Sequence, residues 1–120
     1  MSTILNDVKA IIGSIAPEDT SFDTEILLHI NGKLADVVQL GAGTPGFEAD
    51  EQSTWREFLG ENYAYLTRVK SYVGLSVKLI FDPPQNSFLV KALEDEIKEA
   101  ESKEQQKKEE GLNRGEFAGK

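Results

Sequence analysis

Four prolines divide this chain, and between them the apolar residues recur every three to four positions. Pro17 closes the first apolar stretch, Pro45 stiffens a glycine-rich segment near the middle, and the pair Pro83 and Pro84 breaks the chain a third time. Pro84 drives Pro83 out of the α region and Pro83 does the same to Asp82, so no helix continues through that point. The intervals are therefore separate helices that must bury their stripes against one another. This predicts an all-α fold, a small bundle of four to five helices with an extended C-terminal tail.

In the first interval Ile4, Leu5, Val8, Ile11, Ile12 and Ile15 share a helical face, with Ser2 or Thr3 available as N-cap. The second helix is expected after "PEDTS", capped by Thr20 or Ser21, with Asp23 and Glu25 set favourably in its first turn. Ile26, Leu27, Ile30, Leu34, Val37, Val38 and Leu40 make its face, and Gly41 falls where a C-terminal glycine ends a helix. Thr54 and Glu57 form a capping-box pattern before the short helix "WREFLG". From Glu61 to about Phe81 runs the longest periodic stretch, with Leu66, Val69, Tyr72, Val73, Val77 and Ile80 inward. Its last part, "LSVKLIF", alternates as a strand would, but the 3.6-residue spacing continues into it from Tyr65 and favours helix. Ser87 is the expected cap of a last helix carrying Phe88, Leu89, Ala92, Leu93, Ile97 and Ala100. Beyond Ala100 the stripe stops. Residues 1–100 thus read as a helical domain and 101–120 as a polar tail ordered only on assembly.

The segment "GAGTPG", Gly41 to Gly46, fits the glycine pattern of dinucleotide-binding turns, which requires a strand before it and a helix after it. Here a helix precedes it, Pro45 lies inside it, and Glu48, Asp50 and Glu51 follow and would repel a pyrophosphate. It reads as a connecting loop. Those carboxylates lack the spacing of a calcium-binding loop. The chain has no cysteine and one histidine, His29, so thiolate chemistry is excluded and no transition-metal or cofactor site is expected. No nucleophile with a base beside it emerges, and an enzyme is not expected. The N-terminus lacks a basic leader, Asn6, Asp7 and Lys9 interrupt its apolar run, and no stretch is long enough to span a membrane, which points to a cytoplasmic chain.

Net charge is −8, and the six basic and six acidic residues from Lys98 to Lys120 cancel, so the whole excess lies in residues 1–97. An acidic body disfavours gripping nucleic acid. Trp55 and Phe58 are candidate interface aromatics, although core packing explains them more simply. In the tail, Leu112 and Phe117 are isolated apolar residues near Lys107, Lys108 and Arg114, and they are either without meaning or anchors that dock on another chain.

The order of segments resembles the head-tail connector (adaptor, or head-completion) proteins of tailed bacteriophages. The segments are "FDTEILLHINGKLADVVQLGAG", a glycine-rich acidic loop, "TWREFLG", and "VKSYVGLSVKLIFDPPQNSFLVKALEDEIKEAE". The resemblance covers about residues 4–101, and Val69 to Leu93 is its most specific part. It implies a non-enzymatic, all-helical virion protein at the head-tail junction, present in the host cytoplasm during assembly. Its subunits would form a ring under the portal, of twelve-fold symmetry, through which DNA passes without specific binding. Expected partners are the portal protein, a tail or neck (completion) protein, and further copies of itself. A tail-completion protein and a non-viral helical adaptor domain are the alternatives. The polar "SKEQQKKEE" departs from the more apolar continuation that the family pattern leads one to expect.

Overall fold

A computed structural model describes residues 2–101, and the described chain is all helical. α1 spans Ile4–Ile12, α2 Asp23–Gln39, α3 Trp55–Leu59 and α4 Leu66–Phe81. A 3-10 segment, Gly60–Tyr65, joins α3 to α4, and α5 covers residues 87–101. The one β feature among the described residues is an isolated bridge between Thr3 and Thr54.

α4 is the centre of the bundle, because both α1 and α2 pack on it. α1 runs parallel to α4: Asp7 meets Lys70 at one end, and Lys78 reaches the carbonyls of Ile11 and Ile12 at the other. α2 runs antiparallel to α4, since Phe22 stacks edge-on against Phe81 with ring centres 5.5 Å apart. The core is the meeting of three expected stripes: Ile4, Leu5, Val8 and Ile12 with Ile26, Ile30, Leu34 and Val37, closed by Val69, Tyr72, Val73 and Val77. Burying a side chain of this kind contributes about 1.5–3 kcal/mol. Periodicity did not reveal Gly74, which is buried in α4 where a Cβ would lie 2.2 Å from the Ile11 Cδ1 atom. Its missing side chain lets α1 and α4 approach closely.

Thr3 caps α1 by accepting the Asn6 N–H at 3.1 Å, and the capping box of Thr54 with Glu57 is complete. α2 ends in a Schellman turn, with Gly41 N–H on the Val38 carbonyl (3.0 Å) and Ala42 N–H on that of Val37 (3.2 Å). The start of α2 differs from expectation. Its cap position is Phe22, which makes no side-chain cap, and neither Thr20 nor Ser21 serves. The reason is Lys9, which is 2% exposed and directs its ammonium to the Pro17 carbonyl (3.1 Å), the Asp19 carbonyl (2.7 Å) and the Asp23 carboxylate (2.9 Å). The turn before α2 wraps around this group, and its backbone is set by those carbonyls rather than by capping. Asp23, expected to serve the helix dipole, is instead a buried ion-pair partner.

Three further expectations are corrected. Residues 61–65 are 3-10 rather than α-helical, because Asn62 leaves helical geometry (φ −89°, ψ 18°) to accept the Gly43 N–H at 3.0 Å. Asn86, not Ser87, caps α5: its side chain accepts the Phe88 N–H at 2.8 Å. Finally Ile80, Phe88, Leu89 and Ala92 are exposed, since the inward face of α4 turns to Phe81 in its last turn and α5 faces inward through Val90, Leu93, Ile97 and Ala100.

Removing the Lys9 ammonium leaves the Asp23 carboxylate and two carbonyls without their shared partner. We expect Lys9→Ala to lower stability by about 3–5 kcal/mol. Urea unfolding should show this as a fall in midpoint at unchanged slope.

Candidate docking surfaces

The glycine-rich loop between α2 and α3 is a structural clasp. Gly43 adopts φ +85° and lies against the Phe58 ring, where a Cβ would come within 2.3 Å of the ring carbon. Thr44 donates its hydroxyl to the Phe58 carbonyl at 2.8 Å, and Phe47 packs on Phe58 with ring centres 5.3 Å apart. From α2, Asn31 pairs with both backbone groups of Ala49, accepting its N–H at 2.7 Å and donating to its carbonyl at 3.2 Å. Asp50 accepts the Gln52 N–H (2.9 Å) and the Ser53 hydroxyl (3.0 Å), and these bonds hold its carboxyl below the usual value of 3.8. The carboxylate is therefore engaged in folding the turn. Among the described residues no group of three or more His, Asp or Glu side chains is placed to hold a metal ion.

Trp55 and Phe58 belong to this clasp and to the core beneath it. Trp55 is 3% exposed and donates its indole N–H to Asp7 at 2.8 Å, while Phe58 is fully buried. In the subunit neither ring is presented to a partner. Burial follows from the amphipathic face of a short helix pinned between α1 and the loop. The tail candidates Lys107, Lys108, Leu112, Arg114 and Phe117 lie outside the described residues. His29 is half-buried on α2.

Several of the described cations are engaged within the subunit. Lys9 and Lys78 serve backbone carbonyls, Lys70 pairs with Asp7 at 3.4 Å, Lys33 with Asp36 at 3.7 Å, and Arg56 sits 4.1 Å over the Tyr63 ring. Glu18, Glu25, Glu48, Asp50, Glu51 and Glu61 are exposed. The resulting outer surface is acidic, as the charge distribution in the sequence predicts.

A second surface lies along α4 and α5, which run antiparallel. Glu101 lies beside Tyr72, and Ile80 faces the same cleft as Glu94 and Ile97. One cleft of about 490 Å³ is lined by Tyr65, Arg68, Tyr72, Leu75, Glu96 and Glu99 among others. Near the hinge, Phe88 is 76% exposed, Leu89 50% and Ile80 49%.

The described residues form a helical body with an acidic exterior and with apolar residues exposed beside the α4–α5 hinge. A family model described as phage connector protein matches residues 4–111. The chain belongs to that family. Comparison with curated proteins and with solved structures gives no match. The matched span takes in every helix described above and continues to residue 111, so core, clasp and α4–α5 hairpin all belong to the connector. Membership places the chain among structural proteins of the phage particle that associate with head or tail components. No helix among the described residues is long and apolar enough to cross a membrane.

Sequence reasoning missed two features of the connector's surface. One is the α4–α5 groove, which depends on how far α5 turns away from α4. The other is Tyr72, whose burial, followed by the nearby carboxylates of Glu101 and Asp36, raises its hydroxyl above the usual value of 10.0. In sequence it is one more member of an apolar stripe.

Two outcomes follow. Gly43→Ala combines a left-handed backbone, costing about 1–2 kcal/mol for an L-residue, with displacement of the Phe58 ring, about 1–3 kcal/mol. We expect thermal unfolding to show a clear loss of Tm. For Tyr72, the raised value means that its contribution is intact below pH 10 and declines as pH rises above it, because the unfolded chain ionises first. Ultraviolet titration should show one tyrosine of the three ionising late, and Tyr72→Phe should abolish that late step.

Proposed function

We propose that this connector forms a ring beneath the portal vertex, joins the head to the tail, and continues the channel through which DNA passes. The observation that carries this reading is the family match over residues 4–111. The acidic surface supports it. Each subunit carries an excess of carboxylates, exposed at Glu18, Glu25, Glu48, Glu51 and Glu61, and a ring of such subunits repels phosphates instead of binding them. Twelve copies of net charge −8 would carry about −96, a field that acts over the roughly 8 Å that physiological salt leaves unscreened. The twelve-fold symmetry is that of the portal it would meet.

Docking is non-enzymatic in this proposal. Residues 1–100 form the connector domain, and the tail of residues 101–120 becomes ordered on assembly. Leu112 and Phe117 then serve as apolar anchors, with Lys107, Lys108 and Arg114 as their charged companions.

Deleting the gene from the phage genome tests the reading. We expect electron microscopy of the lysate to show capsids lying apart from complete tails. Complementation with a chain ending at Glu110 should supply a folded protein that fails to join them. Infectious particles from the deletion would overturn the junction reading, and infectious particles from the truncated chain would overturn the role of the tail.

A further inference from the structure

α5 is held differently from every other long helix of the connector. Among the described residues, all the fully buried apolar ones lie between Ile4 and Val77, and α5 contributes none. Its inward stripe, Val90, Leu93, Ile97 and Ala100, is half-buried along its whole described length. The seat beneath it is imperfect as well. A second cleft of about 250 Å³ lies between α4 and α5, lined by Ser76, Leu79, Ile80, Glu94 and Ile97 among others. Ser76 is 4% exposed, and its hydroxyl has no hydrogen-bond partner.

Asp82 ends α4 in a non-helical conformation (φ −145°, ψ 70°), and the two prolines after it make a hinge through which the helix cannot continue. Exposed Ile80, Phe88 and Leu89 flank that hinge on both sides and contribute nothing to the subunit's own core.

We infer that α5 exchanges between neighbouring copies: released from its own α4, it seats in the same groove on the next subunit. This rests on the ring reading above and names the surface by which subunits hold one another. The occupant is a second copy because the groove is shaped for this stripe. The α5 of any copy brings the same residues to the same partners, so exchange loses no contact. It also gains some. Two hinges passing each other cover Ile80, Phe88 and Leu89, which one subunit alone leaves in water. Copies gathered at one vertex meet at high effective concentration, which offsets the entropy of joining them.

The chain has no cysteine, so an introduced pair reports only on itself. Ser76→Cys with Ile97→Cys places one thiol on α4 and one on α5 across the same cleft. Oxidation of the dilute monomer should link the two within one chain, and failure to link would overturn the seat on which the inference depends. Reduced protein allowed to attach to portal-bearing capsids and then oxidised should give a ladder of covalent multimers on a non-reducing gel. Monomer locked by oxidation beforehand should lose attachment at least tenfold and regain it on reduction. Single chains from the assembled sample, or locked monomer that attaches as well as reduced, would overturn exchange while leaving the ring reading intact. If the unmodified chain does not attach to such capsids, the ring reading itself fails. Exchange is then decided on concentrated protein alone, where linked dimers support it and linked monomers refute it.

Discussion

One buried ammonium organises the first half of this molecule. Lys9 projects from α1 and spends its three protons on the Pro17 and Asp19 carbonyls and the Asp23 carboxylate. A lysine taken out of water without partners would be strongly destabilising, so these contacts are mutually required. They force the chain after α1 to fold around the Lys9 tip, which sets where α2 begins and the direction in which it leaves. With α1 and α2 so placed, both present apolar faces to α4, and the core follows.

The same economy of charge shapes the outside. Lys78 caps the C-terminal carbonyls of α1, Lys70 answers Asp7, and Asp7 also receives the Trp55 indole, so three helices meet on one carboxylate. The outer surface carries an excess of carboxylates, among them exposed Glu18, Glu25, Glu48, Glu51 and Glu61. The clasp of residues 41–53 works in the same direction by fixing backbone through Asn31, Asn62 and Thr44 and keeping its carboxylates at the rim. α5, by contrast, contributes no fully buried apolar residue among the described ones.

Much of this was legible in the residues. The helical stripes of α1, α2 and α4 and the capping box of α3 needed only local spacing, because a helix advertises its buried face every three to four residues. The rejection of a dinucleotide site at "GAGTPG" also stood on local context, and the structure gives its glycines other duties: Gly41 ends α2 and Gly43 makes room for Phe58. The family, too, was legible in segment order. Less so were the ends of helices. Thr20, Ser21 and Ser87 are good caps by propensity, yet Phe22 and Asn86 hold those positions, since Lys9 and the proline hinge impose their own backbone.

By itself, then, the sequence determined the helical class, the breaks between helices, the acidic balance and the kinship with phage connectors. Each is a property of local pattern or composition. Only the tertiary structure decided that Lys9 is buried and Phe88 is bare, that Trp55 and Phe58 face inward, and that Tyr72 lies between α4 and the carboxylate of Glu101. Those facts depend on which faces meet across distances of ten to seventy residues. Hydropathy marks a side chain as fit for burial, but the packing of helices determines which fit side chains are covered and which are left for a partner.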